Sequence, residues 1–289
     1  MSGKPQLIWR CRGREVVCGQ KTLIMGILNA TPDSFSGGGK FLAVETAVAR
    51  GLQMVEEGAD IIDIGGESTR PGAKPVQTLE EIERTVPVIG KLREKTDALI
   101  SIDTQKAAVA RAAVAAGADI INDISALADP EMVKVAAETG AGLVLMHMQG
   151  TPETMQNDPR YDDVVSNVWN FLEERMAFAI ERGVAPEQIA LDPGIGFGKT
   201  DAHNLALLRG IPQLAAAGRP VLIGASRKSF IGRITGRKKP DERLAGSLAV
   251  AAFSILRGAQ IVRVHDVKES CDAARLVDTL RSNELAAQH

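Results

Sequence analysis

Short, continuous apolar runs alternate along this chain with longer amphipathic stretches. Eight runs are rich in Val, Ile and Leu without the strict alternation of a half-exposed strand, which is typical of fully buried parallel strands. They cover residues 23–28, 60–64, 99–102, 119–121, 142–146, 188–191, 220–223 and 260–264. Apolar positions recur at helical spacing in residues 44–57, 78–93, 105–116, 130–139, 162–182 and 205–217. This alternation predicts an α/β fold, a TIM (β/α)8 barrel.

The junctions between predicted helices and strands repeat along the chain. Residues 57–60, 116–119 and 257–260 each place a Gly-Ala pair after a helix and just before a strand, where glycine adopts the left-handed cap at low cost. Upstream, residues 7–19 predict a β-hairpin that turns at Arg12 and Gly13 and closes the bottom of the barrel. We therefore predict one domain over residues 1–289, with the hairpin in 1–20 and the barrel in 21–282.

Composition and charge disfavour several classes of function. The formal net charge of −2 and the aromatic content of 3% provide neither the basic field nor the stacking residues of a nucleic-acid binder. We find no signal peptide and no apolar run long enough to span a bilayer, so we expect a cytoplasmic protein. The three cysteines form no CxxC motif, which is consistent with reduced thiols. With so few histidines and no cysteine beside them, we expect no transition metal.

Polar residues follow almost every predicted strand, which is where a β/α barrel places its chemistry. They are Asn29, Glu67 to Arg70, Asp103 and Thr104, Asn122 and Asp123, His147, Asp192, Ser226 to Lys228, and Arg263 to His265. The positions of these residues therefore outline a candidate active site.

A glycine-rich stretch follows Asp192. Its end, Gly198-Lys199-Thr200, resembles a Walker A motif, but Pro193 stands where that motif requires glycine, and the spacing also misses the dinucleotide fingerprint. The stretch could simply turn the chain. Alternatively, its glycines could let the backbone approach a flat ligand at the barrel mouth, and Asp192 favours this second interpretation.

Basic residues gather after the last two strands, where barrels commonly bind phosphate. Arg227 and Lys228 lie in the loop 224–232, which leads into a helix start, and Arg263 and His265 point to the same side because they are two residues apart. Arg70 adds a further guanidinium suited to phosphate oxygens. The alternative for Arg227 and Lys228 is a solvated basic turn, but the whole set favours a diphosphate.

Acidic and amide side chains end three other strands. Asp103, Asn122 and Asp192, together with Lys228, are suited to the donor and acceptor edge of a heterocycle with amino and ring N–H groups. Each has a local alternative, because Asp103 could cap the helix that begins near residue 105 and Asn122 or Asp123 could cap or turn.

The loop after the first strand contains Asn29, Asp33 and three successive glycines. An amide oxygen beside a diphosphate could bind Mg²⁺, which prefers oxygen ligands. A simple turn over residues 29–33 is the alternative.

At these residues the sequence resembles the dihydropteroate synthase family, from residue 24 to residue 265. The matching segments are residues 25–36, 63–72, 122–123, 192–194, 226–229 and 263–265. The resemblance implies folate biosynthesis: condensation of 6-hydroxymethyl-7,8-dihydropterin diphosphate with p-aminobenzoate, giving 7,8-dihydropteroate and diphosphate. If diphosphate leaves first, the protein needs no covalent nucleophile.

The resemblance also implies roles for individual residues. The pterin would contact Asp103, Asn122, Met146, Asp192, Phe197, Gly224 and Lys228. The diphosphate would contact Asn29, Arg70, Arg263 and His265, with Mg²⁺ at Asn29. The p-aminobenzoate would contact Phe35, Thr69, Pro71, Lys228 and Ser229. The catalytic set would be Asn29, Asp33, Arg70, Lys228, Arg263 and His265. Such enzymes are sulfonamide targets and generally homodimers; the nearly all-apolar segment 244–256 could form the dimer face or be buried in the monomer.

One position departs from the family pattern. Gly37 stands where the family usually has Asp before two glycines, and we expect this to alter how the first loop orders over the substrates. Two rival hypotheses remain. A methyltetrahydrofolate-binding methyltransferase module would share the pterin-holding Asp and Asn residues but would not need Arg70 or the other anion ligands. A non-catalytic pterin-binding paralogue would be expected to have lost those ligands.

Overall fold

The computed structural model describes residues 7–30, 39–70 and 72–282. Eight parallel strands form the central sheet. They are β3 (Leu23–Asn29), β4 (Ile61–Gly65), β5 (Leu99–Asp103), β6 (Ile120–Asp123), β7 (Gly142–Met146), β8 (Ile189–Asp192), β9 (Leu222–Ile223) and β10 (Ile261–Val264). Their spatial order is β8-β7-β6-β5-β4-β3-β10-β9. A parallel bridge between Leu191 and Val221 joins β8 to the start of β9. The sheet therefore closes on itself, and the barrel prediction is confirmed.

Helices follow the strands and cover the outside of the barrel. They are α1 (Gly39–Glu56), α2 (Thr78–Arg93), α3 (Ala107–Ala116), α4 (Met132–Thr139), α5 (Val164–Glu181), α6 (Asp201–Arg209), α7 (Ile211–Ala215), α8 (Ser229–Thr235), α9 (Leu244–Leu256) and α10 (Val267–Ser282). None of the helices within the described ranges is long and apolar enough to cross a bilayer.

The prediction of one helix over residues 205–217 was wrong. Thr200 caps α6 by accepting a hydrogen bond from the backbone N–H of His203 at 3.2 Å, so that this helix begins at Asp201. The helix ends before Gly210, and α7 starts immediately afterwards with Pro212 in its first turn. Proline has no N–H to continue the α6 hydrogen-bond ladder but is well tolerated at a helix start.

The N-terminal hairpin pairs β1 (Leu7–Cys11) with β2 (Arg14–Cys18). Arg12 and Gly13 have φ values of 53° and 79°, as a two-residue hairpin turn with both central residues left-handed requires. Trp9 is fully buried and donates its indole N–H to the carbonyl of Gln188 at 2.7 Å. Trp9 and Cys11 belong to one apolar cluster with barrel residues such as Ile61 and Ile120, so the hairpin closes the N-terminal end of the barrel as predicted.

The barrel interior changes from apolar to polar along its strands. Ile61 of β4 and Ile120 of β6 lie in the apolar cluster under the hairpin. Two residues further on, and therefore on the same inward face, these strands carry Asp63 and Asn122. In β5, Asp103 lies four residues beyond Leu99 of the same cluster. The sequence thus places a polar floor at the carboxyl end of the barrel, where the candidate site lies.

Candidate active site

Arg263 of β10 lies at the centre of the polar group. Its Nε donates to Asp63 Oδ2 at 2.6 Å, and its Nη2 donates to Asp103 Oδ2 at 2.6 Å. Asp63 Oδ2 also accepts from Asn122 Nδ2 at 3.2 Å. Burial opposes the charge on Arg263, but Asp63 and Asp103 outweigh it and raise the pKa of Arg263 above its ordinary value. The guanidinium therefore stays charged and holds two carboxylates that come from different strands.

Asp103 has an incomplete set of hydrogen bonds. Its Oδ1 is buried and has no partner among the described residues. Burial raises the pKa of Asp103 to about 7, and Arg263 opposes this rise. Buried acceptors are normally satisfied, so an unpaired oxygen at the barrel mouth suits a ligand that donates an N–H. The capping alternative is wrong for Asp103, because it is Asp129 Oδ2 that accepts from the first N–H of α3, that of Ala107, at 2.9 Å.

Asn122 and its neighbour Asp123 have different surroundings. Asn122 faces the barrel interior beside Asp63. Asp123 instead accepts three hydrogen bonds within its own loop, from the backbone N–H and hydroxyl of Ser125 and from the backbone N–H of Leu127. The turn alternative is therefore confirmed for Asp123, which shapes the loop after β6.

Asp192 begins the glycine-rich loop after β8. Its Oδ1 accepts from the N–H of Gly194 at 2.7 Å, and burial raises the pKa of Asp192 to about 6. Gly194 has a φ of 70°, and a Cβ there would lie only 1.9 Å from the carbonyl oxygen of His147. The loop backbone is thus pressed against the end of β7 at a place that only glycine can occupy.

The buried side chain of Lys199 holds the same loop in place. Its side chain is 2% exposed, and its Nζ lies 2.9 Å from the carbonyl oxygen of Phe197, 3.0 Å from His147 Nδ1 and 3.4 Å from the carbonyl oxygen of His147. Burial lowers the pKa of Lys199 to about 7. Burial and Lys199 together lower the pKa of His147 to about 3, so the imidazole is neutral and can accept. Lys199, the lysine of the Walker-like sequence, therefore stabilises the loop from inside by contacts with His147 and Phe197.

An apolar wall stands beside these polar groups. Met146 and Phe197 are buried in one cluster with Ile124 and Met155. The ammonium of Lys228 lies 3.9 Å from the centre of the Phe197 ring, a cation–π distance. Burial, followed by Arg263, lowers the pKa of Lys228 to about 8.

Gly196 and Gly224 leave room around the charged groups. A Cβ at Gly196 would lie 3.0 Å from the Lys228 side chain. A Cβ at Gly224 would face Arg263 at 3.8 Å and Asp192 at 4.0 Å. The structure therefore brings the predicted residues Gly224, Lys228 and Asp192 to one place.

Ser226 joins the loop after β9 to the end of β10. Its hydroxyl oxygen lies 3.2 Å from the backbone nitrogen of His265 and 3.1 Å from His265 Nδ1. Burial and Arg263 lower the pKa of His265 to about 4, so this imidazole is neutral. The guanidinium of Arg227 forms an ion pair with Asp266, with Nε donating at 3.0 Å. Arg227 is half-buried and paired, so it is not a freely solvated side chain, and a part in binding an anion stays a prediction.

The remaining predicted residues surround the mouth. Asn29 ends β3 opposite Gly65 of β4 and is exposed, Thr69 is half-buried, and Arg70 and Ser229 are exposed. The N–H of Gly72 donates to the carbonyl of Pro152 at 3.0 Å, which ties the loop after β4 to the loop after β7. The predicted positions Asp33, Phe35 and Pro71, and the departure at Gly37, lie outside the described residues.

The sequence did not reveal the role of three residues around the site. Asp63 was quoted only as part of a motif, Lys199 was weighed only as a phosphate ligand, and Glu67 was assigned no role. Glu67 accepts from Lys106 Nζ at 2.6 Å and from the N–H of Val76 at 2.7 Å, and Lys106 also binds the buried Glu81 at 2.5 Å. This network fixes both ends of the loop that carries Arg70. An acidic residue in an otherwise apolar strand, such as Asp63, is the one sequence signal that could have indicated a role in the site.

Comparison with known proteins decides the family. Residues 25–265 match the family model described as pterin binding enzyme. The chain belongs to the pterin-binding enzyme family. Within this family it groups with the dihydropteroate synthases, transferases of folate biosynthesis: it is 51% identical to the dihydropteroate synthase of Synechocystis sp. over 91% of both chains. The resemblance read from the sequence is thereby confirmed.

Solved structures of pterin-binding enzymes agree with this grouping. The dihydropteroate synthase of Xanthomonas albilineans with 4-aminobenzoic acid superposes with a TM-score of 0.90 at 46% identity, covering 96% of this chain and 99% of that one. The same enzyme in complex with 7,8-dihydropteroate gives a TM-score of 0.84 at 43% identity, covering 94% and 99%.

Proposed function

We propose that this dihydropteroate synthase condenses 6-hydroxymethyl-7,8-dihydropterin diphosphate with p-aminobenzoate, and that the bond from the pterin methylene to diphosphate breaks before the amine attacks. The observation that carries the residue assignment is the gathering of Asp103, Asn122, Asp192, Lys228 and Arg263 at one end of the barrel. The X. albilineans enzyme described above binds 4-aminobenzoic acid and 7,8-dihydropteroate, which supports the same substrate and product here.

We assign the pterin to the pocket between the polar floor and the apolar wall. The unpaired Oδ1 of Asp103 needs a donor, and a dihydropterin has amino and ring N–H donors along one edge. Asn122 and Asp192 supply further acceptors, while Met146 and Phe197 give apolar surface for the ring. Lys228 covers Phe197, so its ammonium can donate to a ring carbonyl.

We assign the diphosphate to the open side of the same pocket. Asn29, Arg70 and His265 lie in loops or strand ends around the mouth, and the Arg263 side chain is 18% exposed there. Guanidinium groups stabilise the charge that develops on a departing diphosphate.

The protein residues could hold Mg²⁺ only together with oxygens of the diphosphate and of water. Asn29 is an exposed oxygen donor at the strand end, and Mg²⁺ usually takes one or two protein oxygens together with phosphate and water. When bound, Mg²⁺ would neutralise charge on the leaving diphosphate; we place it at Asn29.

We assign p-aminobenzoate to the rim formed by Thr69, Lys228 and Ser229; the other predicted contacts, Phe35 and Pro71, lie outside the described residues. The pterin ring can share the positive charge left on its methylene, so the protein need only align the amine and keep water out. Sulfonamides share the aniline group of p-aminobenzoate, and we propose that they compete at this rim.

We further propose a homodimer that forms through α9. Ser247, Ala251 and Ile255 of α9 are buried in the monomer, whereas Phe253 and Leu256 are 42% and 61% exposed. Monomer burial therefore accounts for only one side of the helix, and exposed apolar side chains are characteristic of interfaces. Sedimentation equilibrium of the purified protein tests this. A cytoplasmic location stays a prediction.

The deciding experiment measures diphosphate release from the pterin diphosphate and Mg²⁺, with and without p-aminobenzoate, and identifies dihydropteroate by mass. Product that requires both substrates supports the proposal. Tight pterin binding without product would favour the non-catalytic paralogue. Methyl transfer from methyltetrahydrofolate would favour the methyltransferase module, and absence of pterin binding would refute the site assignment.

A further inference from the structure

Asp63 lies beneath the pocket and touches two of the groups assigned to substrates. It is fully buried in the middle of β4. Its Oδ2 accepts from Arg263 Nε at 2.6 Å and from Asn122 Nδ2 at 3.2 Å. Its Oδ1 has no partner among the described residues. Asp63 thus joins the strand that carries Asn122 to the strand that carries Arg263.

The chemistry of a carboxylate decides which way Asn122 points. A carboxylate only accepts hydrogen bonds, whereas an amide has a donating and an accepting end. The end of Asn122 that faces Asp63 must be the NH₂ group, because a rotated amide would set two unpaired acceptors against each other. The Asn122 oxygen is then free to face the pocket.

Arg263 is fixed by the same carboxylate. Its Nε bond to Asp63 orients the plane of the guanidinium, and its Nη2 reaches Asp103 at 2.6 Å. This leaves Asp103 Oδ1 as the unpaired oxygen. One buried carboxylate therefore sets the orientation of both an amide and a guanidinium at the barrel mouth.

We propose that Asp63 is a positioning residue for substrate selection: it presents the Asn122 oxygen as an acceptor and holds Arg263 against Asp103, so that the pocket selects a heterocycle edge that carries N–H donors. This inference rests on the proposed assignment of the pterin to Asp103 and Asn122. It predicts that the pocket discriminates against a ring with an oxygen acceptor in place of an amino donor.

The test is Asp63→Asn, which keeps the side-chain shape but replaces the negative charge with a neutral amide. Its amide oxygen can take the place of Oδ2, but a neutral acceptor holds the buried guanidinium of Arg263 more weakly than a carboxylate does. Because either end of the new amide can face Asn122, the orientation of the Asn122 amide is no longer fixed. The matched control is Asp119→Asn, which breaks another ion pair of a buried aspartate, with Arg93 Nη2 at 2.7 Å, at the opposite end of the barrel.

Titration calorimetry and steady-state kinetics would compare 6-hydroxymethyl-7,8-dihydropterin with its 2-oxo analogue, in which an oxygen replaces the amino group. We expect Asp63→Asn to weaken binding of the pterin by about 10- to 100-fold and to narrow the discrimination against the 2-oxo analogue. The KM for p-aminobenzoate and all constants of Asp119→Asn should stay within about twofold of the wild type.

An unchanged discrimination ratio in a folded Asp63→Asn protein would overturn the inference. If that variant does not fold, NMR of the wild-type protein still tests the inference. The side-chain NH₂ resonance of Asn122 is assigned by its absence in Asn122→Ser. This resonance should be protected from exchange with solvent in the free protein and stay protected when pterin binds; rapid exchange in the free protein would overturn the inference. A wild type that binds no pterin would refute the proposed function itself.

Discussion

Lys199→Met should change how the stability of the protein depends on pH. Lys199 is buried, and burial lowers its pKa from 10.5 to about 7. Between these two values the unfolded chain binds a proton that the folded protein does not, so the free energy of unfolding rises with pH in this window. Methionine fills a similar volume without a titrating group, so the variant lacks this rise.

The size of the effect follows from the two pKa values. With one group titrating at about 7 in the folded protein and 10.5 in the unfolded chain, Lys199 adds about 3 kcal/mol of stability between roughly pH 7 and pH 9.5. The difference in unfolding free energy between wild type and Lys199→Met should change by that amount, in favour of the wild type at the higher pH. Lys228, whose pKa is also lowered, is present in both proteins and cancels from the difference.

Urea unfolding at several pH values measures this difference directly. The control is Lys134→Met at an exposed position. For this variant, the unfolding free energy should depend on pH in the same way as for the wild type. Parallel curves for Lys199→Met as well would show that Lys199 stays charged in the fold, supported by its three acceptors, and would refute the reasoning.

Three further predictions follow from the site. Lys228→Ala should abolish turnover with an unchanged circular dichroism spectrum, because it removes a charge that ring and carboxylate share; near-normal activity would refute that role. Gly194→Ala should lower the free energy of unfolding by about 3 kcal/mol or more, because its Cβ would collide with the His147 carbonyl, whereas Gly218→Ala, with a φ of 66° and open space around it, should cost only about 1 kcal/mol in thermal melts. Pterin affinity should fall as the pH drops below about 7, where Asp103 takes up a proton and loses acceptor capacity; calorimetry should find that dependence reduced in Asp103→Asn, and an identical pH profile would contradict it.

Much of the architecture could be read from local pattern. Each of the eight predicted strands appears within a residue or two of its predicted bounds, because a strand buried on both faces needs a continuous apolar run wherever it lies in the barrel. The candidate residues at strand ends were also predictable, since parallel strands present their carboxyl ends together. Asp103, Asn122, Asp192 and Lys228 were found in this way.

The sequence by itself could not assign partners. Asp63 and Arg263 are 200 residues apart, and only closure of the sheet between β10 and β3 and its continuation to β4 brings them within hydrogen-bond distance. Arg227 is next to Lys228 in sequence, yet its side chain pairs with Asp266, whereas the Lys228 ammonium lies over the Phe197 ring.

Periodicity determines which face of an element is buried, because it reflects the local geometry of a helix or strand. Which charge meets which carboxylate, and therefore which oxygen is left for a ligand, depends on the register and closure of the barrel. That arrangement is decided by the tertiary structure, because the partners come from strands that are distant in the chain.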